Sequence, residues 1–211
     1  MAKKKTSGTK SAGEGDAASS IQHLSRPQIQ KLMDAFRLWN DNAHSQYIRR
    51  VRGRYWLAFL LLRFTGARIG EILCVNDSSD IDFARNEVRI IASECSSERK
   101  QERVIPVSTE VISRIYHYQS EFPAMRGKVF TLDQGNFRRK FYKRAKEAGI
   151  PRELSYPHIL RHTRAIELIE AGVPLTMVQQ LLGHALSSTT AVYLQRSEVA
   201  AKEILKEKGL L

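Results

Sequence analysis

The sequence predicts a mainly α-helical domain with one small antiparallel β-sheet, an α+β fold, and three observations carry that expectation. Apolar residues recur at helical spacing over most of the chain, as in Leu32, Ala35, Phe36 and Trp39. The period switches to alternation between Ile81 and Val107, then switches back. The run Tyr55–Phe64 (YWLAFLLLRF) is apolar almost all round, as in a helix enclosed by a core rather than lying on its surface. With 42% hydrophobic residues in 211, the chain suits one compact domain with a tail.

Taken in order, residues 1–20 are rich in Lys, Gly, Ser and Ala and hold no large apolar side chain beyond Met1. Burial there cannot offset the entropy of ordering, so a flexible basic tail is expected, with Lys3, Lys4 and Lys5 placed to touch phosphate. The folded domain is expected over 25–195, followed by a C-terminal helix over 196–211. Ser25 suits an N-cap, with Pro27 in the first turn. Gly66 ends the buried helix, and a second helix starts near Ala67 and includes Ile69, Ile72 and Leu73. Three half-buried strands follow, marked by Ile81 and Phe83, by Val88 and Ile90, and by Val104 and Val107. Arg85-Asn86 and the polar stretch Glu94–Glu102 supply their turns. Helical patterning resumes at Ser108–Phe122, at Gln134–Ala148 and from Tyr156 onward, with breaks at Gly172, Pro174 and Gly183.

A net charge of +12 and a pI near 9.9 draw polyanions, and nucleic acid is the commonest soluble one. A membrane surface attracts the same charge, but no apolar run approaches the roughly 20 residues that span a bilayer, so no membrane partner is expected. Cys74 and Cys95 have neither CxxC nor metal-ligand spacing and read as reduced thiols; no metal is expected. Basic residues concentrate in two places. One is Arg49, Arg50, Arg52 and Arg54, just ahead of the buried helix. The other holds Arg138, Arg139, Lys140, Lys143, Arg144 and Lys146, with no acidic residue among them. In the second, Phe137, Phe141, Ala145 and Ala148 form the apolar stripe, so most of the charges face outward, where phosphate contact is expected.

Chemistry-bearing residues crowd the C-terminal third. Pro157 suits a first helical turn, which puts His158 and Arg161 three apart on one face. A base and a cation at a helix start suit an anionic substrate, because the helix N-terminus adds positive field. Leu175, Val178, Leu181 and Leu182 line the next helix, Gly183 stops it, and His184 follows. Ser187 and Ser188 then cap a helix that leads to Tyr193.

Together these residues resemble the tyrosine recombinase (phage integrase) family. Thr65-Gly66-Ala67-Arg68-Ile69-Gly70-Glu71 matches its TGxRxxE-like turn, and His158, Arg161 and His162 match its HxxRH. Leu181-Leu182-Gly183-His184 matches its LLGH, with Tyr193 nine residues beyond and Thr189 and Thr190 before it. The resemblance covers about Tyr55 to Tyr193 and implies the catalytic-domain fold shared with type IB topoisomerases. It implies a DNA strand-transfer enzyme in which Tyr193 attacks the scissile phosphate and forms a 3′-phosphotyrosine. Arg68 and Arg161 would clamp that phosphate with guanidinium forks. His184 would donate to it, and His158 would help remove the Tyr193 proton, whose ordinary pKa is about 10. Glu71 and His162 would support the site. No cofactor is implied, since the ester energy is kept in the phosphotyrosine.

The family places a lysine on the hairpin between the second and third strands to protonate the leaving 5′-oxygen. Counting back from Arg103-Val104-Ile105-Pro106 puts the strict register near Glu98, and Lys100 is the lysine at hand; Arg99 holds its proton too tightly. The resemblance also implies double-stranded DNA as partner, self-association on it as a dimer or tetramer synapse, and a cytoplasmic, prokaryotic, nucleoid-associated setting. Val199, Ile204 and Leu205 resemble the segment by which such enzymes dock onto a neighbouring subunit. Most members carry an N-terminal helical domain that closes the far side of a clamp, for which about 45 residues ahead of Arg49 are too few, so either a fragment or a short member is expected. The rival readings are a type IB topoisomerase-like nicking-closing enzyme and a DNA-binding protein of the same fold without turnover.

Overall fold

Ser25 opens the first helix, α1 (Arg26–Asp41), through a reciprocal capping box: its Oγ accepts from Gln28 N–H and the Gln28 side chain accepts from Ser25 N–H. A computed structural model describes residues 22–91 and 102–183 of the chain. Within them the order is α1, α2 (Gln46–Thr65), α3 (Ile69–Leu73), β1 (Ile81–Asp82), β2 (Glu87–Ile91), β3 (Glu102–Pro106), α4 (Thr109–Glu121), α5 (Gln134–Glu147), α6 (Ile159–Glu170) and α7 (Leu175–Leu182). The mainly helical class with a small antiparallel sheet is what the sequence predicts.

Two boundaries differ from that expectation. The buried helix begins at the Ser45 cap, well before Tyr55, so Arg49 to Arg54 occupy its first turns rather than a segment ahead of it. Gly53 does not break the helix; it lets Tyr118 pack close, where a Cβ would fall 2.7 Å from the ring. The helix expected from Tyr156 starts instead at Ile159, with His158 at the N-cap position.

The sheet runs β1-β2-β3 with both pairs antiparallel, Val88 facing Ile105 and Ile90 facing Arg103. Here the strand expectation is corrected. Val104 is 51% exposed, whereas Ile105 is 4% exposed and fills the core. Residues 104 and 107 are an odd number apart and cannot share one face of a pleated strand, so the inward set on β3 is Arg103 and Ile105.

Most of α2 is buried, and the core forms around it: Phe36 of α1 stacks on Phe59 at 4.1 Å between ring centroids, and Phe137 and Phe141 of α5 close the other side. The buried Asp77 carboxylate accepts from Gly127 N–H, Val129 N–H and Gln119 Nε2, which fixes the loop that launches α5. A second, smaller cluster (Ala165, Ile166, Ile169, Val178 and Leu182) joins α6 to α7. No helix among the described residues is long and apolar enough to cross a membrane.

Candidate active site

The Thr65–Arg68 turn is built by local chemistry. Thr65 Oγ donates to Leu61 O at 2.6 Å and accepts from Ala67 N–H at 3.1 Å, stitching the end of α2 to the turn beyond it. Gly66 takes φ +65°, and a Cβ there would lie 2.4 Å from a Leu182 methyl, so both conformation and the approach of α7 demand glycine. The turn delivers Arg68 as N-cap of α3, and its N–H donates to Glu71 Oε2 at 2.7 Å. Glu71 is 1% exposed. Arg103 of β3 meets its carboxylate end-on, Nη1 to Oε1 at 3.0 Å and Nη2 to Oε2 at 2.8 Å, and Arg68 Nη1 lies 3.4 Å away. Burial alone would raise the Glu71 pKa. The Arg103 and Arg68 hydrogen bonds and charges outweigh it and hold the carboxyl below its usual range.

The second motif meets the first. His158 and His162 pack edge to face, ring centroids 4.8 Å apart, at the start of α6. His158 keeps an exposed edge, yet the dense protein around the rest of the ring, with His162, Arg161 and Arg68 adding like charge, pushes its pKa down to about 4. His162 is lowered by burial and Arg161. Arg161 is only 3% exposed. Its Nη1 donates to Gly66 O at 3.0 Å and to Leu182 O, and its Nη2 to Gly183 O at 3.0 Å. These guanidinium bonds tie the α2–α3 turn to the end of α7.

A cleft of about 590 Å³ opens above this knot, lined by Arg68, Gly70, Gln134, Arg138, Tyr142 and His158 among others. One row of α5 (Gln134, Arg138, Tyr142) faces it at i, i+4 spacing. Lys146, next in that row, lines an adjoining cavity of about 830 Å³ together with Arg152, and Tyr142 and Tyr156 are shared between the two. Arg139 points away and donates to Asn136 Oδ1. Lys140 and Arg144 lie over Trp39, and Lys143 lines a groove with Arg52 on that far side. Among the α2 arginines, Arg49 pairs with Glu121 at 3.1 Å and Arg50 lies over the Tyr47 ring. Arg52 donates to Trp39 O and Asn42 O, and Arg54 to Lys128 O, Val129 O and Thr131 O.

The structure therefore brings Arg68, Glu71, His158, Arg161 and His162 together with Arg138. Lys100, His184 and Tyr193 lie outside the described residues, although Gly183, immediately before His184, is held in place. Sequence reasoning missed Tyr142, Tyr156 and Arg103. Tyr142 was legible as the residue four beyond Arg138, and Arg103 as the partner of Ile105 in strand alternation.

Fold and site define an α+β domain with a cation-lined cleft. Residues 22–199 match the Phage integrase family, and the chain belongs to it. A curated "Tyrosine recombinase" of Thermosipho africanus (strain TCF52B) is 33% identical over 198 residues, which is 89% of this chain and 66% of that protein. The crystal structure of XerA recombinase superposes with a TM-score of 0.67 at 22% identity, covering 93% of this chain and 66% of that one. The XerH site-specific recombinase bound to palindromic difH substrate, in a post-cleavage complex, gives 0.66 at 21% identity, covering 90% and 54%. The chain spans from 47% to 66% of the length of the curated relatives it matches.

Proposed function

We propose that this protein is a site-specific DNA recombinase that cuts and rejoins duplex DNA through a 3′-phosphotyrosine on Tyr193. The observation that carries the reading is convergence. Arg161 hydrogen-bonds both Gly66 and Gly183, so the first two motifs and residues 181–183 of the third, more than a hundred residues apart in sequence, are joined beneath one cation-lined cleft.

In the proposed reaction the Tyr193 phenolate oxygen attacks phosphorus, and the phosphorus–5′-oxygen bond breaks. Lys100 gives the proton that the departing oxygen takes. Arg68 lies at the cleft surface to neutralise the nonbridging oxygens, and His184 donates to the same phosphate. Arg161, whose guanidinium serves Gly66 O, Leu182 O and Gly183 O, adds charge from beneath and touches the phosphate only by giving up one of those bonds. His158, neutral at pH 7 because its pKa is so low, is in the state that accepts the Tyr193 proton. Glu71 and His162 support the arginines. Rejoining reverses the step, so neither cofactor nor hydrolysis is required.

DNA is proposed to lie along α5, with Arg138 and Lys146 nearest the scissile phosphate and Arg139, Lys140 and Lys143, on the faces turned from the cleft, meeting phosphates farther from it. At about 1.5 Å per residue, Arg49 lies about 24 Å from Thr65 along α2. Contacts from Arg49, Arg50 and Arg52 would therefore reach phosphates well away from the cleavage point. Assembly as a dimer or tetramer on paired sites, with residues 196–211 as a docking helix, completes the proposal. Deleting 197–211 should then weaken cooperative binding to two-site DNA far more than binding to one site.

The test is trapping. A pool of nicked duplexes with a randomised core is incubated with the full chain, and denaturant-resistant protein–DNA species are isolated and sequenced. A covalent adduct is expected on Tyr193, lost in Tyr193→Phe while DNA affinity stays nearly intact. No adduct, or one that persists in the Phe variant, overturns the reading.

A further inference from the structure

We infer that Arg103 is a positioning residue for strand transfer, a node that sets Arg68 and the Gly183–His184 junction relative to each other. The inference rests on the recombinase reading. Arg103 side-chain exposure is 12%, and all three of its guanidinium nitrogens have partners on two different elements. Nη1 and Nη2 hold both oxygens of Glu71, whose carboxylate in turn receives the Arg68 N–H. Nε donates to Leu181 O at 2.9 Å, across 78 residues of sequence.

That third bond falls on a helix end. The last carbonyls of a helix have no partner within it and attract cations. At the end of α7 Arg103 takes Leu181 O, while Arg161 takes Leu182 O and Gly183 O. Two guanidinium groups thus cap three consecutive carbonyls immediately before His184. Gly183 reinforces the fit: its φ is +77°, and a Cβ on it would sit 3.0 Å from Arg103 Nη1. Arg103 also follows Lys100 by three residues, so the β3 end of the hairpin is moored to the same node.

A planar fork is needed because one group must satisfy a carboxylate bidentately and still reach a carbonyl with its third nitrogen. Lysine supplies the charge but a single nitrogen. The Arg103 hydrogen bonds and charge also help hold the buried Glu71 carboxyl in its ionised form, against the desolvation that would raise its pKa. Without Arg103, Glu71 would be left buried beside Arg68 alone, and the α7 end would lose the bond that registers it against β3.

The test uses the full chain and a nicked duplex carrying the sequence recovered in the adduct screen. Single-turnover cleavage at saturating protein and Kd are measured for Arg103→Ala, Arg103→Lys and Arg89→Ala. Arg89→Ala removes a more exposed two-bond pair with Asp80 from the neighbouring strand and controls for the loss of a sheet ion pair as such. Misplacing a reacting group by about 1 Å costs roughly a hundredfold in rate. Arg103→Ala should therefore slow cleavage by about that factor with Kd unchanged, Arg103→Lys should recover only part of the rate, and Arg89→Ala should cleave normally. If Arg103→Ala does not fold, slowed cleavage with unchanged Kd in Arg103→Lys serves in its place. Wild-type rates in the Arg103 variants, or slowing in Arg89→Ala in step with its lost stability, overturn the inference. Absence of any adduct with the unaltered protein instead overturns the recombinase reading.

Discussion

The two basic regions of this protein look alike as sequence and differ in what their charges do. At the start of α2, Arg52 and Arg54 donate into five backbone carbonyls between them, and Arg49 is paired with Glu121. On α5, the row Gln134, Arg138, Tyr142 looks into the cleft, and Lys146 into the cavity beside it. The first set fastens the loop before α5 and the end of α1; the second presents charge where an anion would lie. A guanidinium already satisfied by carbonyls has little to gain from a phosphate unless it gives those bonds up. Charge density alone therefore ranks neither region. Engagement does.

The widest separation is expected at the cleft itself. Arg68→Ala should lower single-turnover cleavage by two to three orders of magnitude, since removing one preorganised donor from a developing oxyanion costs about 2.7–4 kcal/mol. Its thermal melt should change little, because Arg68 has a half-open side chain and Glu71 keeps Arg103. A variant that is unfolded at room temperature would place Arg68 with the fastening arginines instead.

Within α5 the comparison sharpens further. The double change of Arg138 and Lys146 to Ala should weaken DNA binding and reduce the slope of log K against log salt by roughly two, one for each phosphate that goes unneutralised. The double change of Arg139 and Lys143 to Ala, on the outward side, should lower the slope less. Fluorescence anisotropy over a salt series reads both, and equal slopes for the two pairs would mean that the cleft-facing row has no special place in the DNA path.

Arg54→Ala should do the opposite. Its side chain alone serves Lys128 O, Val129 O and Thr131 O, and loss of charge-assisted hydrogen bonds of this kind costs about 2 kcal/mol. Urea unfolding should show that loss, while the salt slope for DNA stays at the wild-type value. A changed slope with unchanged stability would move Arg54 into the DNA interface.

The smallest effect is a pH dependence set by the cations at the cleft. His158, with its pKa near 4, stays neutral in the folded protein where its unfolded counterpart ionises near pH 6.5, and His162 is lowered in the same direction by burial and Arg161. Over that interval the unfolded state binds more protons, so their contribution is fully present above about pH 6.5 and falls as pH drops toward 4. Glu71, also lowered, adds a loss that begins only below its ordinary 4.5. His158→Asn should flatten the stability profile between pH 6.5 and 4 in urea titrations, and an unchanged profile would rule out the low His158 value. A bound phosphate should raise the same pKa, so the protein is expected to take up a proton at His158 on binding DNA in this range.

Much of the fold was legible from local pattern. The cap at Ser25, the period-3.6 stripes of α1, α4 and α5, and the three-strand insertion come from short-range periodicity, and the Gly66–Glu71 and His158–His162 segments stand out by their spacing. The errors have a common source. Val104 reads as an inward residue because valine favours a core, but the pleat puts Ile105 and Arg103 there. A buried arginine on a strand looks from sequence like a solvated one until its carboxylate partner arrives from another element.

By itself, then, the sequence determined the class of fold and the family motifs, because each of these depends on neighbours within a few positions. Only the tertiary structure decided which cations are engaged. Arg161 joins Gly66 to Leu182 and Gly183, Arg103 joins Glu71 to Leu181, and Arg54 joins α2 to the loop before α5, each across 21 to 95 residues of chain. Long side chains carry their donors some distance from the backbone, and what they meet there depends on packing that no local period encodes.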